Sequence, residues 1–148
     1  MKCQAMLAAA VASVVMILMT SSMASADVRI YGDPGGEVTA YLHRFQEVRD
    51  SGQRVVIDGP CLSACTLLTH FLPRNRICVT SRAVLGFHAA SYYDDVSRSL
   101  VPTTRGSRLV MRLYPPAIRS WIRRHGGLTP RLIQLRGRQL AALYHPCQ

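Results

Sequence analysis

The chain has 148 residues, 49% of them hydrophobic, and a formal charge of +10 from 18 basic and 8 acidic side chains. That length limits it to a single domain with a modest core, and no internal repeat is visible. The arginines are spread along the chain and the densest groups, Arg123-Arg124 and Arg136/Arg138, are short, so the charge reads as a solvated face and a nucleic-acid partner is excluded.

Lys2 precedes an apolar run from Ala5 to Met19 broken only by Ser13, and Ala24-Ser25-Ala26 follows. A positive start, a short apolar stretch and a small-x-small site predict a cleavable secretory signal over residues 1–26. The run falls short of the about 20 residues that a comfortable membrane span needs; an uncleaved anchor is the alternative. Cys3 precedes the run, so it is not a lipid-attachment cysteine beside a cleavage site. Removing 26 of the 148 residues leaves one domain over residues 27–148, periplasmic or secreted, with no lysine and no further stretch able to cross a membrane. Cys61, Cys65, Cys78 and Cys147 survive processing. In an exported small domain they are disulfide candidates with three possible connectivities. Zinc is the competing use, but the spacing lacks a C-x2-C knuckle, so no metal and no other cofactor is implied.

In chain order, residues 27–32 (DVRIYG) alternate as a strand does, and Asp33-Pro34-Gly35-Gly36 is a turn. Residues 37–51 place Val38, Tyr41, Leu42, Phe45 and Val48 near the helical period, with Gly52 as a stop. Residues 54–58 (RVVID) read as a buried parallel strand, and Gly59-Pro60 breaks it. Residues 63–72 suit a buried helix, and 77–80 and 83–89 two further strands. Residues 92–104 are polar and aperiodic, which predicts a mobile loop. Residues 107–124 read as helix interrupted at Pro115-Pro116, with Trp121 in the core and Gly126-Gly127 as its end. Thr129-Pro130 resembles a helix start, predicting a last helix over 131–144. Strands alternating with helices make an α/β fold with right-handed crossovers.

Three places carry candidate chemistry. Gly35-Gly36, between a strand and a helix, can aim backbone N–H groups outward. Ser63, in Asp58-Gly-Pro-Cys-Leu-Ser-Ala-Cys65, opens a helix after a tight turn; an ordinary N-cap is the plain alternative. His88, in Gly86-Phe87-His88, ends an apolar strand, where a satisfied rim histidine is commoner. In this order, and with Arg76 expected in the strand before His88, residues 28–90 resemble the Clp protease/crotonase superfamily, and most of all its small exported Clp-like members. The resemblance implies a truncated ββα spiral core with C-terminal helices. It also implies Ser63 as nucleophile, His88 as general base, and the N–H groups of Gly36 and Ala64 as an oxyanion hole.

The superfamily's proteases complete a triad with a C-terminal aspartate, whereas here no Asp or Glu follows Asp95. A serine–lysine dyad is excluded because the mature chain has no lysine. The expected activity is therefore that of a serine hydrolase, peptidase-like, acting on a peptide or acyl substrate. It would use a Ser-His dyad or a triad improvised from Asp94 or Asp95. A catalytically inactive binding or assembly module is the rival, and a homo-oligomer is a possible partner arrangement.

Overall fold

Short β-branched runs flanked by turns build the strands. The computed structural model describes residues 26–148, so the predicted signal lies outside the described residues except for Ala26. Strands β1 (Val28–Ile30), β2 (Val55–Ile57), β4 (Ile77–Val79) and β9 (His145–Pro146) form one wholly parallel sheet in the order β1-β2-β4-β9. Strand β3 (Pro60–Leu62) pairs parallel with β5 (Val84–Phe87), and β5 pairs antiparallel with β8 (Ile133–Arg136) in a second sheet. Only Asp58 and Gly59 separate β2 from β3, yet the two strands lie in different sheets. The chain steps between sheets here, where Gly59 lies against the Tyr31 carbonyl oxygen and any Cβ would collide. The same step recurs from β4 to β5, so two strand pairs with a helical link between them alternate between the sheets.

Helix α1 (Val38–Asp50) starts where the Glu37 carboxylate accepts the Thr39 and Ala40 N–H groups at 2.9 and 2.8 Å; the Thr39 side chain foremost, then these amides, hold that carboxyl below its usual pKa. Its inner face buries Phe45 and Val48. Phe45 is fully enclosed, a burial worth roughly 1.5–3 kcal/mol. Ile57, Leu67, Leu68, Leu85, Ile118 and Ile122 complete the same core. At its C-terminal end the Arg76 guanidinium, from a later segment, donates to the Val48 and Arg49 carbonyls at 2.7 and 2.9 Å. Arg76 sits in a 3-10 turn, Arg74–Arg76, just before β4 and not within the strand as the sequence suggested.

The predicted 63–72 helix is a 3-10 turn, Ser63–Leu67, continuing into the short α2 (Leu68–Phe71). The predicted break at Pro115-Pro116 separates α3 (Thr104–Leu113) from α4 (Pro116–Arg124), and Trp121 is buried. Two further expectations fail. Residues 92–104 are not an aperiodic loop: β6 (Ser91–Asp94) and β7 (Ser99–Pro102) form an antiparallel hairpin. Residues 131–144 are not one helix. The segment pairs with β5 as β8, burying Leu135, and only Gly137–Ala141 (α5) is helical. Packing on an open strand edge outweighs helix propensity there.

Both cysteine pairs are disulfides, Cys61–Cys65 and Cys78–Cys147, which leaves none of the four as a thiolate ligand. The second ties the last strand to β4. Among the described residues no helix is long and apolar enough to cross a membrane.

Candidate active site

Strand register assembles the site. Cys61 pairs with Leu85 and Leu62 with Gly86, side by side in parallel. Ser63 therefore follows β3 on the same side as His88 follows β5, at the carboxyl ends of neighbouring parallel strands, where α/β folds place ligands. Asp33 bridges to Cys61 in parallel, with its N–H on the Pro60 carbonyl and its own carbonyl taking the Leu62 N–H, each at 2.8 Å. That ladder lays Pro34-Gly35-Gly36 alongside Leu62-Ser63.

Ser63 has φ of +53°, one of two non-glycine residues with positive φ among the described residues. Serine in that region is strained and persists only where its surroundings enforce it. Three features do so. The Cys61–Cys65 disulfide closes the turn around it, with both cysteines fully buried. The Thr66 hydroxyl donates to the Ser63 carbonyl at 2.6 Å. Its one proton being spent, Thr66 accepts from the buried Tyr114 hydroxyl at 2.7 Å, and burial pushes that phenol up to about 12. Behind the turn stands Gly35, at φ +83°. A Cβ there would lie 2.6 Å from both the Leu62 carbonyl oxygen and Ser63 Cβ.

The neighbouring amides differ in use. The Gly35 N–H donates to Asp33 Oδ1 at 2.9 Å. The same carboxylate takes the Tyr41 hydroxyl through a short hydrogen bond and Arg44 at 3.0 Å. Burial foremost, then Asp33, pushes the Tyr41 phenol up to about 12. Gly36 and Ala64 lie at helix starts, and neither N–H has an intramolecular partner among the described residues. The amides expected to form an oxyanion hole are thus free, and the adjacent one is spent on the turn.

His88 is half-buried, and its Nδ1 lies 2.7 Å from the Ala89 carbonyl oxygen. A carbonyl only accepts, so Nδ1 carries the proton and Nε2 is left with its lone pair. Ser63 and His88 line the same open cavity of about 690 Å³, together with Gly35, Gly36 and Val38. Its far rim is the hairpin, through Tyr92, Tyr93 and Leu100. No hydrogen bond joins Ser63 to His88 among the described residues; such contacts commonly tighten only with substrate. Asp94 accepts the Ser97 N–H at 2.8 Å within the hairpin turn, and the Ser97 side chain foremost, then that amide, hold its carboxyl below the usual range. Asp95 is exposed, and neither aspartate borders the cavity.

Sequence reasoning missed the hairpin rim, the Ala89 carbonyl and the Thr66–Tyr114 brace. The aromatic pair Tyr92-Tyr93 and the Leu100-Val101 pair on either side of the 95–98 turn were the readable hint for the first. No family model, curated protein or solved structure matches this chain.

Proposed function

We propose that the protein is an exported serine hydrolase, peptidase-like, built on a Clp/crotonase-like fold. The observation that carries this reading is the strained Ser63, held at positive φ at the mouth of a cavity it shares with His88. A nucleophile on a sharp strand-to-helix turn presents its hydroxyl to substrate, as in other hydrolase elbows. The alternation of strand pairs between two sheets supports the fold assignment. Two disulfides and the N-terminal apolar segment support export to an oxidising compartment.

In this reading Ser63 Oγ attacks the acyl carbon while its proton passes to His88 Nε2. The carbonyl oxygen, now anionic, takes hydrogen bonds from the Gly36 and Ala64 N–H groups. Collapse returns the proton from His88 to the leaving group and leaves an acyl ester on Ser63. Water then repeats the sequence, giving up a proton to His88 and releasing the acid. The Ala89 carbonyl holds the histidine tautomer where other hydrolases use a carboxylate.

A fluorophosphonate probe tests the reading. It should label the wild type on Ser63, and Ser63→Ala and His88→Ala should each abolish labelling and turnover, the double variant being little worse. The rival, a binding or assembly module, draws on the missing Ser63–His88 hydrogen bond. An unreactive wild type, or small additive effects of the two changes, would establish it instead.

A further inference from the structure

Beside the open cleft, Ser63, Ala64 and His88 border a second, far smaller recess of about 20 Å³. Its walls are Val38, Leu67, Ala90, Val110 and Tyr114. That is room for about one water molecule or one methyl group. Two of these walls cannot easily retreat. Leu67 is fully buried, and Tyr114 is buried and tied through its hydroxyl to Thr66, which is itself bonded to the Ser63 backbone. With that hydroxyl spent, the recess offers apolar surface alone apart from the serine and histidine.

The reacting carbonyl must sit over Ser63 with its oxygen toward the Ala64 N–H. The first side chain on the acyl group is two bonds from that carbon, so it falls within the space these same residues enclose. The wide cleft under the hairpin remains for the rest of the chain. Resting on the hydrolase reading, we infer that the recess is the subsite for the side chain next to the attacked carbonyl. It restricts that side chain to methyl size and no charge, so the substrates are alanyl-type acyl groups in extended peptides or esters.

N-acetyl amino acid 4-nitrophenyl esters of alanine, valine, leucine and phenylalanine test this, with Ser63→Ala as the blank. The alanine ester should exceed valine in kcat/KM by about tenfold, and leucine and phenylalanine by about a hundredfold, the range one or a few methylenes command in a hydrophobic pocket. Val110→Ala, which opens one wall, should raise the valine-to-alanine and leucine-to-alanine ratios by about tenfold or more. Each ratio is taken within one preparation, so partial loss of folded protein does not enter it. A leucine or phenylalanine ester within threefold of alanine, or ratios unmoved by Val110→Ala, would overturn the subsite while leaving the hydrolase standing. No fluorophosphonate labelling and no turnover above the Ser63→Ala blank would overturn both.

Discussion

Replacing Gly35 by alanine tests whether the serine turn is held from behind. The new Cβ would lie 2.6 Å from the Leu62 carbonyl oxygen and from Ser63 Cβ, and 2.9 Å from the Ala64 nitrogen. Ordinary contact begins at 3.4 Å, so the turn must recede by about 0.8 Å. Holding an L-residue at φ +83° costs about 1–2 kcal/mol by itself, and the crowding adds about 1–3 kcal/mol. For a domain of this size that lowers Tm by roughly 10–20 °C. Displacing Ser63, the proposed nucleophile, and the Ala64 amide by nearly an ångström should slow fluorophosphonate labelling about 10²-fold. Gly52→Ala separates strain from collision. It has φ of +76° with nothing within 4 Å of its Cβ, and it lies beyond the far end of α1. It should lose about 1–2 kcal/mol and keep its labelling rate. Differential scanning fluorimetry and labelling kinetics on the two variants read both quantities. A Gly35→Ala protein with wild-type Tm and labelling would refute the account, as would equal labelling losses in the two.

The disulfides should contribute unequally. The Cys78–Cys147 bridge, spanning a separation of 69, restricts the unfolded chain by about 4 kcal/mol, and Cys61–Cys65, spanning 4, by about 2 kcal/mol. Urea melts of the two paired serine variants should follow that order, while the Cys61/Cys65 pair should lose more labelling because it flanks Ser63; the reverse on either count would contradict the assignment. Asp58 should govern acid stability. The Thr80 hydroxyl at 2.8 Å, then Arg82 at 2.7 Å and Arg29 at 3.1 Å, hold its carboxyl below the ordinary 3.8. The fold thus favours the ionised form, whose contribution is complete above about pH 4 and is lost as pH falls through the lowered native value. The stability gap between wild type and Asp58→Asn should shrink from pH 5 to pH 3, and a gap independent of pH would exclude Asp58 as the source.

The amino-acid pattern predicted the parts of the fold whose periodicity and packing agree. The apolar run VVI within RVVID becomes β2, buried on both faces. The spacing of Phe45 and Val48 marks the inner face of α1, and Pro115-Pro116 marks a true break. The errors fall where tertiary context decides. In the hairpin, Tyr92, Tyr93 and Leu100 are all exposed, so no hydrophobic face stands out in the sequence. In residues 133–136, one buried leucine and an open β5 edge outweigh a helical composition. Strand β3 was hidden because proline and cysteine compose it, yet its register is what sets Ser63 beside His88. The three site segments were legible in order because turn chemistry is local. Their convergence was not, because it depends on the Asp33–Cys61 bridge between segments almost thirty residues apart.

The missing carboxylate decides how the histidine is poised. An acid after His88 could come only from Asp94 or Asp95, and the hairpin that carries them does overhang the cleft. It presents tyrosines and a leucine there, however. Asp94 is committed to the Ser97 N–H at the hairpin turn, and Asp95 is exposed. His88 Nδ1 already donates to the Ala89 carbonyl at 2.7 Å, so a carboxylate would have to displace that bond to take over. In the proposed hydrolase the carbonyl would fix the same tautomer as an aspartate but bring no full negative charge to an imidazolium formed during transfer. Where an aspartate does that work, exchanging it for asparagine costs about 10⁴ in rate. Here Asp94→Asn and Asp95→Asn should each leave ester turnover within about twofold, far below that cost. Asp94→Asn should show its effect on the hairpin instead, as faster amide exchange at Ser97. A loss of a hundredfold or more in turnover from either single change, with the fold intact, would place that aspartate on His88 in the substrate complex. The site would then be a triad and not a dyad.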